Sequence, residues 1–587
     1  MRSRWASTYH IGSPYCKGDG SGQGKAVHVM KLVECVPNFS EGRDAGVIEQ
    51  IASEIRSTEH VKLLDVDPGK DTNRTVVTFI GTPEGVLEAA FKAIAKAASV
   101  IDMRTHKGAH ARMGATDVCP FVPVSGVTME ECAELARKLG SRVGGELGIP
   151  VYLYEEAAAD PKRKNLAHVR QGEYEGLSEK LKDRDWRPDF GPAEFNPRSG
   201  ATVIGAREFL IAYNINLNTR DVRIAREMAF DMRETGRAKK DASGAVIRDE
   251  HGAPVHTPGK FKACKAVGWY MEDFGRAQIS MNLINYNITP PHAVFDECAR
   301  LAEALGVRVT GSELVGLIPL EAMLQAGRHY LTKQGKTTGV PESELIHIAV
   351  LSMGMSDLYP FEPEKKIIEY QFKTEGDLVG MKVHAFVDVL STDAPAPGGG
   401  SVAALCGAMS GALSSMVAAL THGKKGYERA FEEMEKTGAR AQELKAAFLA
   451  DVDGDTAAFN AVMDAMRLPK ATDADKKARE AAIQEATKGA TLIPLAVLRR
   501  SREAAELARL VVAAGNKNSI SDGGVAALTA RSAAEGAYLN VRINLPGIAD
   551  EHFRKETLAE AEMLRDQVVR HTEETVKLAE KTMGAAT

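Results

Sequence analysis

Cysteine is scarce: 587 residues hold seven, at positions 16, 35, 119, 132, 264, 298 and 406, with no Cys-x-x-Cys spacing among them. An odd, scattered set excludes a disulfide framework and offers no zinc-ligand pattern, so no metal is expected and a reducing, cytoplasmic setting fits. Strong charge of one sign is missing too, the net charge being -5 at a pI near 6.4. That removes the electrostatic reason to expect nucleic acid or an acidic membrane as partner. The first thirty residues lack the apolar stretch of a secretory signal, and with Ser/Gly-rich 18–24 they read as a disordered extension, or as a start placed upstream of Met30. Long uncharged runs are absent except at residues 401–420. That run is mostly Ala, Ser and Gly, and Val402, Leu405, Met409, Leu413, Met416 and Leu420 recur along one side at helical spacing. A close-packed buried helix is predicted there, not a membrane span.

What is present is globular: 44% hydrophobic and 26% charged residues, on a chain long enough for about three or four domains. Between residues 31 and 124 the periodicities read strand (32–36), helix (44–55), strand (62–66), strand (74–80), helix (83–101), strand (118–124). This βαββαβ order is the ferredoxin-like signature. A further helix (129–147) and strand (151–154) extend it. The order recurs as strand 209–216, helix 221–235, strands 264–271 and 278–286, helix 290–305 and strand 308–310, with a polar hairpin inserted at 239–258. Both second helices open on Thr-Pro, at Thr82-Pro83 and Thr289-Pro290.

After Tyr370 strand signals nearly vanish. A polar linker (371–379) leads to a helical region with helices near 380–391, 400–421, 427–467, 473–514, 522–540 and 552–582, the fourth kinked or broken at Pro494. The expected division is therefore an extension 1–30, two α+β ferredoxin-like subdomains at 31–208 and 209–370, the linker, and an all-α domain at 380–587.

Where the second repeat passes from helix to last strand through Gly306 and Val307, the first inserts a loop, 102–116, holding two histidines, two arginines and a lysine. Packing does not require such a loop, so chemistry is expected in it. His110 lies between Gly108 and Gly114, flanked by Lys107 and Arg112. An imidazole near its ordinary pKa can both accept and donate a proton at neutral pH. A solvated surface histidine is the plain alternative, and His106 the competitor. Arg74, Arg112 and Lys107 could neutralise a carboxylate substrate. Asp65 and Asp67 share a strand face, where one carboxylate could orient His110 or merely cap the turn before Gly69.

In the helical part, Asp451-Val-Asp453-Gly-Asp455 imitates a calcium loop but has Thr456 where Gly is needed and Val462 where Glu is needed. On a helix Asp451 and Asp455 share one face, where burial would raise a carboxyl pKa into a useful range. The plain alternative is an Asp-rich helix start in water. Gly398, Gly399, Gly400 and Ser401 open the uncharged helix with amides suited to an anion, but in neither a dinucleotide nor a P-loop pattern. Asn516, Ser521 and Asp522 form another polar helix start, which capping alone explains.

Specific stretches accompany these features: Leu32-Val-Glu-Cys-Val-Pro-Asn-Phe-Ser-Glu-Gly42, Asp71-Thr-Asn-Arg-Thr75, His106-Lys-Gly-Ala-His110, Met113-Gly-Ala-Thr-Asp-Val-Cys-Pro-Phe121, Asp189-Phe-Gly-Pro192, Pro397-Gly-Gly-Gly-Ser-Val-Ala403 and Ala465-Met-Arg-Leu-Pro-Lys470. Together they closely resemble the bifunctional formimidoyltransferase-cyclodeaminase family, folate enzymes of histidine degradation, over about residues 31–581. The resemblance implies transfer of a formimino group from N-formimino-L-glutamate to tetrahydrofolate, then cyclisation to 5,10-methenyl-tetrahydrofolate with loss of ammonia. It implies His110 as catalytic histidine with Asp67 its partner, Asp455 as the second active-site carboxylate, and folate held by Gly191, Pro192 and the chain to Gly200. Tetrahydrofolate, with or without a polyglutamate tail, would be the cosubstrate, and the assembly a ring-like homo-oligomer, an octamer being one arrangement. The family's usual Glu and Pro around the histidine are Ala109 and Ala111 here. Two alternatives stand beside this: only the helical half active, as a methenyl-tetrahydrofolate cyclohydrolase-like enzyme, or a non-catalytic folate-binding scaffold.

Overall fold

The computed structural model describes residues 31–70, 73–108, 111–250, 252–272, 274–371 and 376–584. The N-terminal extension and His110 lie outside these described residues. The chain divides into two compact units, Met1–Phe209 and Leu210–Thr587.

The first unit runs β1 (Leu32–Cys35), β2 (Asn38–Phe39), α1 (Ala45–Arg56), β3 (Val61–Gly69), β4 (Arg74–Gly81), α2 (Pro83–Val100), β5 (Thr116–Ser125), α3 (Met129–Glu146), β6 (Val151–Glu155), short helices α4 (Leu166–Val169) and α5 (Leu177–Lys180), and β7 (Thr202–Ala206). Strands β1 and β2 both pair antiparallel with β4 and β5, so they serve as one interrupted strand. With β3 on the far side of β4, the order is that of a ferredoxin-like sheet. β7 pairs parallel with β5 and β6 parallel with β7, extending the sheet. Sequence reading missed β7 because its five residues follow the irregular stretch 156–201. The helices start where their caps dictate: Asp44 on α1, Thr82 and Pro83 on α2, and a Thr128/Glu131 capping box on α3. Val33, Phe39, Val77, Phe79, Ile94, Phe121 and Leu139 fill the core beneath α1 to α3.

The second unit repeats the plan: β8 (Ile211–Leu217), α6 (Val222–Met232), β9 (Arg237–Ala238), β10 (His256–Thr257), β11 (Cys264–Met271), β12 (Arg276–Leu283), α7 (Pro291–Ala304) and β13 (Val309–Val315), with sheet order β11-β12-β8-β13. The 239–258 insertion is closed at its base by the antiparallel β9–β10 pair. Next come α8 (Leu320–Lys333), α9 (Glu342–Ser352) and α10 (Pro363–Lys366), which the sequence reading left unassigned.

The helical region contains α11 (Val383–Leu390), α12 (Gly399–Thr421), α13 (Phe431–Arg467), α14 (Asp473–Ala514), α15 (Ile520–Asn544) and α16 (Glu551–Gly584). The chain is thus α+β followed by all-α. α14 continues through Pro494 without a break. α12 is long and apolar enough to cross a membrane, yet 56% of its most apolar window is buried within the protein. The buried side is the small one, including Gly400, Ala404, Gly407, Ala408, Gly411, Ser414, Ser415 and Ala418, while Met409, Met416 and Leu420 face outward. This is the close-packed helix expected: close approach favours the face without bulk, and Phe448 packs directly against Gly407.

Candidate active sites

The long loop joins α2 to β5, whereas α7 reaches β13 through four residues, 305–308. Asn73, buried and held at φ 48, organises it. Its side chain accepts from the Gly42 amide at 3.0 Å and donates to the Lys107 carbonyl at 3.0 Å, and its own carbonyl lies 2.8 Å from His106 Nε2. Arg112 Nε donates to His106 Nδ1 at 3.3 Å, so Nδ1 is the acceptor and Nε2 carries the proton. Burial holds the His106 pKa below its ordinary value. With both ring nitrogens engaged, His106 fastens the loop and is not free to act as a base.

Arg112 is itself buried and bound by Glu173 at 3.1 Å and Glu175 at 2.6 Å. Its charge is already met, which corrects its assignment to a substrate carboxylate: it anchors the loop. Beyond it, Gly114 bridges Gly200, and Ser40 Oγ donates to the Gly114 carbonyl at 2.7 Å. The described residues on either side of 109–110 are therefore tied down.

Asp67 lies on β3 and Arg74 opens β4. Asp67 pairs with Val76 across β3 and β4, and Val77 points into the helix-covered core, so Asp67, Val76 and Arg74 share the opposite face. Asp67 is exposed. Arg74 donates from Nη2 to the Asn38 side chain, while its buried Nε has no partner. Among the described residues no carboxylate lies within ion-pair distance of Arg74. Burial lowers its pKa, with Asp117 and Asp67 opposing the shift.

In the helical region the expected residues converge. Asp455, half-buried on α13, lies against the Cα of Gly400 so closely that an added Cβ would overlap its carboxylate. Ser401 Oγ donates to the Val452 carbonyl at 2.9 Å and to Asp455 Oδ2 at 3.3 Å. Burial raises the Asp455 pKa, and hydrogen bonds from the Ser401 side chain and backbone oppose the rise. Asn540 of α15 approaches Gly399. One turn back on α13, Asp451 is 8% exposed and ion-paired with Arg500 of α14; burial carries its pKa up to about 6. Asp453 turns elsewhere, accepting from the Leu378 amide at 2.8 Å and so fastening the end of the linker.

Other expected residues lie apart. Asn516 accepts from Lys424 Nζ at 2.7 Å and its amide donates to Thr421 Oγ1 at 2.8 Å, so Asn516, exposed Ser521 and Asp522 sit at the C-terminal end of α12. Gly400 and Asp455 are at its other end, about 30 Å away at ~1.5 Å per residue. Within one chain these groups are not one site, and capping accounts for Asn516, which accepts from the Asn518 amide at 3.2 Å. Gly191 (φ 80) and Gly200 (φ 66) have backbone reasons to be glycine, packing against Ile149 and Gly144, and against Met113 and Gly114. Pro192 is exposed beside the first. Sequence reading missed Asn73, Ser40 and Arg500; Asn73 and Ser40, each inside a quoted motif, left a signal, and Arg500 left none. Among the described residues no group of three or more His, Cys, Asp or Glu side chains could hold a metal ion.

Two α+β repeats with a long loop between α2 and β5, followed by a helical bundle with a desolvated carboxylate at a glycine-opened helix, have the layout of a two-part enzyme. Family profiles match in succession: "Formiminotransferase domain, N-terminal subdomain" over 32–207, "Formiminotransferase domain" over 212–373 and "Formiminotransferase-cyclodeaminase" over 382–563. The formimidoyltransferase-cyclodeaminase of Dictyostelium discoideum is 42% identical over 93% of this chain and 98% of its own length. The chain belongs to the formimidoyltransferase-cyclodeaminase family. Each half also has relatives of its own: the glutamate formimidoyltransferase of Streptococcus pyogenes serotype M1 is 40% identical over 52% of this chain and 94% of itself, and the methenyltetrahydrofolate cyclohydrolase of Methylorubrum extorquens 45% over 31% of this chain and 88% of itself.

Proposed function

We propose that this chain moves a one-carbon unit in two steps on tetrahydrofolate. In the first, N5 of the folate attacks the formimino carbon of N-formimino-L-glutamate and glutamate leaves. His110 relays the proton from N5 to the departing amine, Asp67 orients the imidazole, and Arg74 receives a substrate carboxylate. Arg74 suits that role because its Nε is buried without a partner and, among the described residues, its guanidinium bonds only to Asn38. In the second step N10 attacks the same carbon of 5-formimino-tetrahydrofolate. Asp455 takes the N10 proton and delivers it to the nitrogen that departs as ammonia, leaving 5,10-methenyl-tetrahydrofolate. Both steps are proton transfers between amines held in place, worth about 10²- to 10⁴-fold for a well-placed group, and call on no metal.

The observation that carries this reading is that both halves align in family order with a bifunctional relative over 93% of the chain. Further proposals follow from it. The site is read as cytoplasmic, and a polyglutamate tail would keep the intermediate from diffusing away between steps. A ring-like homo-oligomer is supported by apolar side chains left bare on the helical unit, Met409, Met416 and Leu420 of α12 and Val525, Leu528, Leu539 and Ile543 of α15. The folate loop 191–200 stands as a binding proposal on its exposure at Pro192.

The test is one cuvette holding protein, formimino-glutamate and tetrahydrofolate, followed for methenyl-folate absorbance and ammonia. Both signals rising in equal amounts is the expected result. A second reading has its own support, the similarity of the helical half to a methenyltetrahydrofolate cyclohydrolase. It requires methenyl-folate to be hydrolysed and no glutamate to be released from formimino-glutamate.

A further inference from the structure

Asp451 and Arg500 belong to no step above, yet they form a desolvated ion pair one helical turn from Asp455. Residues four apart on a helix are neighbours, about 6 Å between Cβ atoms, so a charge at 451 is felt at 455. Exposed pairs contribute little, but this one has side chains only 11% and 20% exposed, where screening is weak. The surroundings leave few competitors. α12 offers Ser401, which is neutral, α15 offers Asn540, also neutral, and Asp453 on α13 is spent on the Leu378 amide. The charged neighbour that couples to Asp455 is Asp451, whose own pKa is raised in part by Asp455, and Arg500 is the ion-pair partner of Asp451.

We propose that Asp451 and Arg500 are positioning residues of the cyclodeaminase site: their ion pair sets the charge beside Asp455 and so the pH range over which that carboxyl exchanges a proton. A bare aspartate beside it would disfavour ionisation, and a bare arginine would favour it. The neutral pair holds Asp455 between these extremes. Within the pair, burial favours a proton on Asp451 and Arg500 opposes it. This rests on the reading of Asp455 as the proton-transfer group of the second step.

The experiment measures the acid limb of kcat/KM for 5-formimino-tetrahydrofolate cyclisation in the full-length protein, with glutamate release in the other half and thermal unfolding as controls for folding. Asp451→Asn leaves Arg500 unopposed and moves the limb about one pH unit down; Arg500→Gln moves it about one unit up. The double variant, which removes one charge of each sign, returns near the wild-type profile, and Arg500→Lys largely preserves it. A purely structural role would lower the rate without opposite shifts that cancel. Profiles for Asp451→Asn and Arg500→Gln that superimpose on wild type, with Asp455→Asn inactive, overturn the inference and leave the Asp455 reading intact. Full activity in Asp455→Asn removes that reading itself. If Arg500→Gln does not fold, the downward shift in Asp451→Asn and its absence in Arg500→Lys decide the matter.

Discussion

Replacing Gly400 by alanine separates stability from chemistry in this protein. A Cβ at position 400 would overlap the carboxylate of Asp455, with Oδ2 at 2.5 Å, and backbone atoms are not among its nearest neighbours. What must give is therefore the end of one short side chain, not the helix. Alanine gains about 1 kcal/mol in helix propensity over glycine, and crowding costs on the order of 1–3 kcal/mol where nothing can move. With a movable carboxylate the two nearly cancel, so global stability should stay within about 1 kcal/mol of wild type. Catalysis has no such escape. An Asp455 turned off Ser401 loses both the hydrogen bonds and the position from which it reaches the reacting nitrogens. The expected loss is that of a displaced general acid–base, about 10²- to 10⁴-fold in cyclisation, while glutamate release in the other half continues at the wild-type rate. Denaturant unfolding, methenyl-folate absorbance from preformed 5-formimino-tetrahydrofolate, and glutamate release give the three readouts. A stable Gly400→Ala protein that cyclises at full rate would refute the placement of the second site.

Arg74→Gln should raise KM for formimino-glutamate about 10- to 100-fold with a small change in kcat, since it removes a charged anchor; an unchanged KM excludes that anchor. Arg112→Gln should do the reverse, lowering transferase kcat with little change in KM, because Arg112 ties the loop to Glu173 and Glu175. Steady-state kinetics on both substrates distinguish the two. Glu34, 4% exposed on β1, has its pKa raised by burial to about 7, against 4.5 unperturbed. A carboxyl with a raised folded pKa gives full stability below its unfolded pKa and loses it as pH climbs through the folded value. Glu34→Gln should therefore be more stable than wild type by roughly 2–4 kcal/mol at pH 8 and by little at pH 4.5, and a gain independent of pH would contradict the assignment.

How much of this could be seen in the sequence follows from the range of the forces involved. Helix and strand periods are local, and both ferredoxin-like repeats and nearly every long helix follow from apolar spacing and caps such as Asp44, Thr82 and Thr472. β7 and the short helices around it have no such period, being held by contacts such as Arg163 with Asp189 at 2.6 Å. Which side of α12 is buried depends on packing in a related way. A helical stripe of large apolar residues ordinarily marks the core, but this helix packs its glycine, alanine and serine face most closely, which leaves Met409, Met416 and Leu420 exposed. The same tight packing builds the second site. Because Gly400 and Gly407 let α13 approach within side-chain thickness, Asp455 and Phe448 on that helix reach α12 directly, and the carboxylate loses its water. Asp455 could be picked out as a carboxylate on a helix face, but its desolvation depends on the close approach of Gly400 and Ser401, more than fifty residues away in the chain. Chemistry in this half is thus a property of helix spacing, and a single methyl group at position 400 tests it.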